Sequence, residues 1–204
     1  MTLSNSSFLL PSCFSCVNIC RAVRVIDGKY RRLPLTSTPS PRVRPTTRRL
    51  REALFDLLGA RVLGTRFLDL CAGSGAVGIE ALSRGASHVT FVDRSAKTCS
   101  LIVENLRRCG VCEDQAEVWV SDAIQFLRRT QLPPWEIVFF DPPYRADYEP
   151  VLAFFGAAAL VRRRGCIFIA EHHCEQTLKE REGRLRRWRM VRQGDSCLSF
   201  YEYR

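Results

Sequence analysis

Arg66-Phe67-Leu68-Asp69-Leu70-Cys71-Ala72-Gly73-Ser74-Gly75-Ala76-Val77-Gly78 is the stretch on which the fold turns. An apolar run carrying one carboxylate breaks into a small-residue turn, and a helix-forming run follows. That is a buried strand, a glycine-rich loop and a helix start. Gly73 to Gly78 satisfies G-x-G-x-x-G, and Asp93 lies 20 residues past Gly73. Glycines at this spacing let the backbone approach a nucleotide, and Asp93 can take both ribose hydroxyls.

Outward from this turn the pattern alternates. Strands are expected at 66–71, 88–93, 116–121 and 136–141, with helices at 76–84, 95–108 and 122–129 between them. An apolar helix around 149–161, a strand at 166–170 and a charged helix near 174–182 follow. A strand pair near 187–192 and 197–203, split by Gln193-Gly194-Asp195, closes the chain as an antiparallel edge hairpin. Strands alternating with helices imply an α/β fold with a doubly wound, mostly parallel sheet. Upstream, strand-like pieces lie in 23–35, a loop holds Pro39, Pro41 and Pro45, and Thr46 or Thr47 can cap a helix with Leu50, Leu54, Leu57 and Leu58 on one face. Gly59 can end it. We divide the chain into a leader or start-site extension (1–20), a basic arm and helix (21–60) and the α/β domain (61–204).

In such sheets ligands bind beyond the carboxyl ends of the strands. Those ends carry Asp69, Asp93, Asp122 and Asp141, one on each of four successive strands. Each alone could cap the next helix, Asp122 above all. Together they form the strongest pattern in the chain. Asp69 argues against a dinucleotide, because a carboxylate near the loop repels a pyrophosphate. A sulfonium cofactor with a free ammonium group welcomes it, so S-adenosyl-L-methionine fits better. Asp69, Ala72, Gly73, Ser74, Gly75, Asp93, Arg94, Asp122, Ala123 and Thr46 are the expected cofactor-binding residues, with Asp122 and Ala123 at the adenine.

The strand Ile137-Val138-Phe139-Phe140 ends in Asp141-Pro142-Pro143-Tyr144. The prolines stiffen the exit from the sheet. Asp141 and the Pro142 carbonyl are acceptors for the N–H groups of an exocyclic amine, and Tyr144 offers a face for a base turned out of its stack. A proline-rich turn after a buried strand has the same composition. As chemistry, the four residues form the expected catalytic set: acceptors stabilise positive charge developing on an amine aligned with an activated methyl group.

Charge suggests the partner. The 204 residues carry a net charge of +10, and the segment from Arg21 to Arg51 holds ten basic residues against Asp27 alone. A second basic region runs from Lys179 to Arg192. Basic blocks can be solvated tails, but arginine pairs bidentately with phosphate and a positive field steers polyanions. Arg24, Lys29, Arg31, Arg32, Arg44, Arg48 and Arg49 are the expected RNA contacts, with a solvated helix face as the plain alternative for Arg48, Arg49 and Arg51. The ten cysteines include pairs Cys13/Cys16 and Cys109/Cys112, but no second pair follows at zinc-finger distance. Reduced thiols, no metal and a cytoplasmic location are expected. No apolar run approaches the ~20 residues of a membrane span.

These residues resemble the RsmD-type family, which methylates the guanine N2 amine of bacterial 16S rRNA. The likeness runs from about Arg24 to Tyr203. It rests on Arg24-Val25-Ile26-Asp27-Gly28-Lys29-Tyr30, Arg44-Pro45-Thr46-Thr47, Arg51-Glu52-Ala53-Leu54-Phe55, Asp69 to Gly78, Glu80 to Ala86, Asp93-Arg94, Glu104-Asn105-Leu106 and Asp141 to Tyr144. The Arg44-Pro45-Thr46 and Arg51-Glu52-Ala53-Leu54-Phe55 stretch is more specific than the glycine loop or Asp-Pro-Pro-Tyr. The family usually has a glycine between basic residues where this chain has Arg31-Arg32, and often Asp at Arg48. The resemblance implies a Rossmann-like class I methyltransferase fold with a seven-stranded sheet. It also implies action on 16S rRNA or the assembling small ribosomal subunit, with the Arg44-Pro45-Thr46 loop closing over cofactor or target; a monomer is expected. An adenine-N6 or other base-amine methyltransferase acting on DNA or another RNA is the alternative.

Overall fold

The computed structural model describes residues 23–37, 47–129, 135–143, 146–157 and 166–203. The expectations for residues 1–20, Arg44, Thr46 and Tyr144 lie outside them. Ten strands, five α-helices and two short 3-10 turns (Gly59–Val62 and Glu113–Gln115) occur among the described residues. β1 (Val23–Arg24) and β2 (Pro34–Leu35) form a small antiparallel ribbon. After α1 (Arg48–Leu58) come β3 (Arg66–Leu70), α2 (Ala76–Ser83), β4 (His88–Asp93), α3 (Ala96–Cys109), β5 (Ala116–Val120), α4 (Ala123–Arg129), β6 (Ile137–Phe140) and α5 (Glu149–Gly156). β7 (Ile167–His173), β8 (Arg181–Glu182), β9 (Leu185–Gln193) and β10 (Ser196–Tyr203) complete the sheet.

The sheet order is β5-β4-β3-β6-β7-β10-β9-β8. The first five strands are parallel, and β10 lies antiparallel between β7 and β9. The α/β architecture and the terminal hairpin are as the sequence suggests. The sheet has eight strands rather than seven, because the two-residue β8 extends it by pairing with Leu185 and Arg186. A strand this short leaves no periodic signal.

The charged helix expected near 174–182 is absent. That segment gives its carbonyls to the sheet instead: Leu178 O accepts from Arg187 Nη1 at 3.2 Å, Lys179 O from the Tyr201 hydroxyl at 2.8 Å, and Glu180 O from Arg187 N–H at 2.8 Å. Carbonyls held by distant donors cannot serve a helical ladder.

Both faces of the central strands are covered, which is why Ile137 to Phe140 is apolar without a break. Phe67, Phe91, Phe139, Ile169 and Phe200 face one layer with α1, α2 and α3. Leu68, Leu70, Val138, Phe140, Phe168 and Tyr201 face the other with α4 and α5. Each such large side chain contributes about 1.5–3 kcal/mol by burial. The third glycine of the loop motif belongs to this packing: a Cβ on Gly78 would lie 2.3 Å from the Phe91 ring. α2 therefore rests on β4 at a distance only glycine permits.

Capping follows from the sequence. The Thr47 hydroxyl accepts from Leu50 N–H at 3.2 Å, and Gly59, at φ +50°, ends α1 by donating its N–H to Phe55 O. Thr47, the second of the two candidates, is the cap.

The ribbon docks on α2 through two buried side chains. Glu80 accepts from Ile26 N–H at 2.7 Å and Asp27 N–H at 3.0 Å. Ser83 Oγ accepts from Tyr30 N–H at 2.9 Å and donates to Asp27 O. Gly28 sits so close that a Cβ would lie 1.9 Å from Ser83 O. Glu80 also receives Arg84 Nε at 2.8 Å and faces Arg51 Nη1 at 4.0 Å.

Candidate active site

β3 leads into a turn in which Cys71, Gly73 and Gly75 have φ of +64°, +55° and +75°. Left-handed backbone costs glycine nothing and Cys71 about 1–2 kcal/mol, the kind of strain that gathers at functional loops. The turn is held from all sides. Ala72 N–H donates to Val92 O at 3.0 Å, Gly75 N–H to Ala72 O at 2.8 Å, and Gly73 N–H to Asp93 Oδ2 at 3.0 Å. A Cβ on Gly73 would meet no atom within 4 Å, so this part of the loop faces open space.

Asp93 spends one lone pair of each oxygen on the protein: Oδ2 on Gly73 N–H and Oδ1 on Ser95 N–H at 2.9 Å. A carboxylate has about four lone-pair sites, so the geometry leaves capacity for a diol. Arg94 beside it is exposed.

Asp69 is placed differently from its expected contact with an ammonium group. It is 2% exposed, and its Oδ2 accepts from Gly78 N–H at 2.9 Å. Gly78 is the third residue of α2, whose N-cap Gly75 has no side chain to offer. Asp69 thus caps the helix from beneath the loop, and burial pushes its carboxyl up to about 8. Asp122 takes the capping alternative: its Oδ1 accepts from Ile124 N–H at 2.9 Å and Gln125 N–H at 3.3 Å, and Ala123 is buried as the first residue of α4.

The acceptor turn is tied to the loop across adjacent strands. β6 pairs with β3, and Asp141 N–H donates to Leu70 O at 3.3 Å. Pro142 is buried, Pro143 is exposed, and Pro143 O accepts from Ala146 N–H at 2.8 Å. All four strand-end aspartates meet electrostatically at Cys71. Burial raises its thiol, and Asp93, Asp141, Asp69 and Asp122 each raise it further. The pattern read along the chain is a cluster in space.

The basic residues divide. Arg24, Lys29, Arg31, Arg32, Arg48 and Arg49 are exposed; Arg24 Nη1 donates to Arg32 O at 3.1 Å, and Arg48 pairs with Glu52. Arg51 is not on a solvated face. It is 2% exposed, its Nη2 donates to Arg24 O at 3.1 Å, and it faces Glu80. Arg32 has φ +69°, which gives the family's glycine at this turn a physical reason.

Asn105, which enters the sequence reading only as part of the family likeness, has a role that no local pattern assigned. It is fully buried in α3. Its Oδ1 accepts from Thr36 N–H at 2.9 Å, and its Nδ2 donates to Thr36 O at 2.9 Å and to Ser74 O at 3.0 Å. One side chain joins the arm to the glycine loop. An asparagine at a core position of an amphipathic helix was the available signal.

A family model described as Conserved hypothetical protein 95 matches residues 23–202. YlbH of Bacillus subtilis, whose name makes it a candidate rRNA methyltransferase, is 34% identical over 185 residues, covering 89% of this chain and all of that protein. Ribosomal RNA small subunit methyltransferase D of Escherichia coli is 39% identical over 123 residues, which span 60% of this chain and 61% of the relative. The solved structure of Escherichia coli yhhF, a candidate methyltransferase by name, superposes with a TM-score of 0.78 at 29% identity, over 89% of this chain and 98% of that one.

Proposed function

We propose that this chain, which belongs to the family described as Conserved hypothetical protein 95, transfers a methyl group from S-adenosyl-L-methionine to the exocyclic N2 amine of a guanine in 16S rRNA. The observation that carries the reading is the convergence of a glycine-rich cofactor loop on β3 and an acceptor turn on the adjacent β6. The names of both relatives support rRNA as substrate, and that of the Escherichia coli relative supports the small subunit.

The donor set fits the cofactor. Asp93 would take the ribose hydroxyls with its remaining lone pairs, the open side of Gly73 would admit the chain of the amino acid, and the second oxygen of Asp122 and the backbone at Ala123 would meet the adenine. When bound, S-adenosyl-L-methionine supplies a methyl group on a cationic sulfur. The protein needs no covalent nucleophile. Asp141 and Pro142 O accept the amine's N–H bonds, orient its lone pair and stabilise positive charge as it develops on nitrogen. Pro142 has no N–H to compete for the acceptors, and Pro143 holds the turn stiff. Tyr144 would stack on the extruded base. The exposed arm residues Arg24, Lys29, Arg31 and Arg32 would contact phosphate, as a monomer working in the cytoplasm on rRNA or assembling subunits.

Purified protein given labelled S-adenosyl-L-methionine is expected to label small ribosomal subunits or their RNA, with the label in N2-methylguanine on nucleoside digestion. Labelling of DNA alone, or of adenine, would overturn the reading.

A further inference from the structure

We infer that the open edge of β9 is a second RNA-docking surface, distinct from the N-terminal arm, that holds phosphates on the acceptor side of the site. The inference rests on the proposed reaction. β8 pairs with β9 only at Leu185 and Arg186, so among the described residues the strand from Trp188 to Gln193 has no neighbour beyond it in the sheet. Within β9 stand Arg186, Arg187, Arg189 and Arg192 and no carboxylate. Arg187 pairs with Glu180 at 3.3 Å. Arg186, Arg189 and Arg192 are exposed and pair with no carboxylate among the described residues.

Their arrangement wraps the edge. Arg189 lies opposite Phe200, which faces the α1 layer, while Met190 and Arg192 lie opposite Ser199 and Cys197 on the other side. Met190 is 53% exposed and adds an apolar contact. The register Ser196↔His173 puts the β9–β10 turn, and so Arg192, at the end of the sheet where β7 finishes and the aspartates converge. α1 runs the opposite way, the turn after it being fixed by Arg61 on Glu202 at 2.9 Å, so the exposed Arg49 near its start lies toward the same end.

Charge also distinguishes the two flanks of the site. β5, on the cofactor side, carries Glu117 and no basic residue. β9 is three strand spacings from β6, about 14 Å, on the acceptor side. Edge strands carry charge to prevent aggregation, but Arg189 and Arg192, on opposite faces of one edge and with Arg192 at the end nearest the site, exceed that need. Their guanidinium groups suit a polyanion.

The test is R189A/R192A. RNA binding is measured with a small-subunit rRNA fragment over a salt series, alongside methylation kinetics and cofactor affinity. The slope of log K against log salt is expected to fall by about 1.5, with the KM for RNA up about tenfold. The kcat and cofactor Kd should stay unchanged, and R189K/R192K should restore most of the slope. An unchanged slope and KM would overturn the inference. So would weaker binding to assembled subunits with unchanged binding to naked rRNA, which would assign the edge to a ribosomal protein. Because binding is read without turnover, a wild-type protein that methylates no guanine would sink the proposed reaction while the salt slope still decided the surface.

Discussion

The amide of Asn105 donates to the carbonyl of Ser74 at 3.0 Å while its two polar atoms clasp the backbone of Thr36. The clasp imitates one rung of a sheet ladder, so the arm is paired to α3 as a strand would be. Asn105→Ala leaves Thr36 N–H and two carbonyls without their partner, each costing about 1–3 kcal/mol where buried. A loss of roughly 2–4 kcal/mol and a cofactor Kd several-fold weaker are expected, read by denaturant unfolding and calorimetry. Unchanged cofactor affinity would separate the arm from the loop.

Glu80 faces one buried guanidinium, Arg51, and two arm amides. Glu80→Gln removes the only carboxylate among the described residues that Arg51 approaches within 4.0 Å, and breaking a buried pair costs about 3–5 kcal/mol. The ribbon should then open to trypsin at Arg24, Lys29, Arg31 and Arg32. Limited proteolysis checks this; cleavage at the wild-type rate would show that the ribbon holds without Glu80.

Arg32 occupies a left-handed turn at φ +69°. Its N–H donates to Val25 O at 2.9 Å and its carbonyl receives Arg24 Nη1, and glycine keeps both bonds. Arg32→Gly should stabilise the chain by up to about 1 kcal/mol, raising Tm by roughly 2–4 °C. A lower Tm would mean that the arginine side chain contributes more than its backbone costs.

Asp69 carries a pH signature. Its carboxyl is pushed up to about 8 by burial, against the pull of Gly78 N–H. The folded chain therefore keeps a proton that the unfolded chain releases above about pH 4. Stability from this group falls as pH rises from about 4 to about 8. Asp69→Asn should flatten the curve over that window and leave the variant relatively more stable at its alkaline end, as measured by denaturant midpoints. A parallel pH profile would contradict the buried, proton-holding role.

The two halves of the site should separate kinetically. Asp141→Ala is expected to abolish turnover with cofactor affinity within a few fold of wild type, whereas Asp93→Ala should weaken the cofactor markedly. Reversal of that pattern would exchange their roles.

Some of this architecture was readable and some was not, for physical reasons. Strands such as Phe67–Leu70 and Ile137–Phe140 are buried on both faces, so their composition names them. Each parallel strand leads into a turn at the same end of the sheet, so the four aspartates could be gathered before any coordinates. What they do there was less legible. Asp69 and Asp122 serve helix amides, because a strand-end carboxylate is equally suited to a ligand or to the next helix. Arg51 looked solvated because its partner lies 29 residues away on α2. The stretch 174–182 has helix-like charge, yet Arg187 and Tyr201 claim its carbonyls. Local pattern cannot register a distant donor.

Cys71 has a consequence for the durability of the proposed enzyme. A thiolate is among the strongest nucleophiles in a protein, and this one stands in the very loop that would cradle an electrophilic methyl donor. Burial and the nearby charges of Asp93, Asp141 and Asp122 hold it protonated, while Asp69 keeps its own proton below about pH 8. A thiol makes a poor methyl acceptor. The same negative charge that suits a sulfonium ligand thereby guards the protein against alkylating itself, and leaves the methyl group for the guest amine.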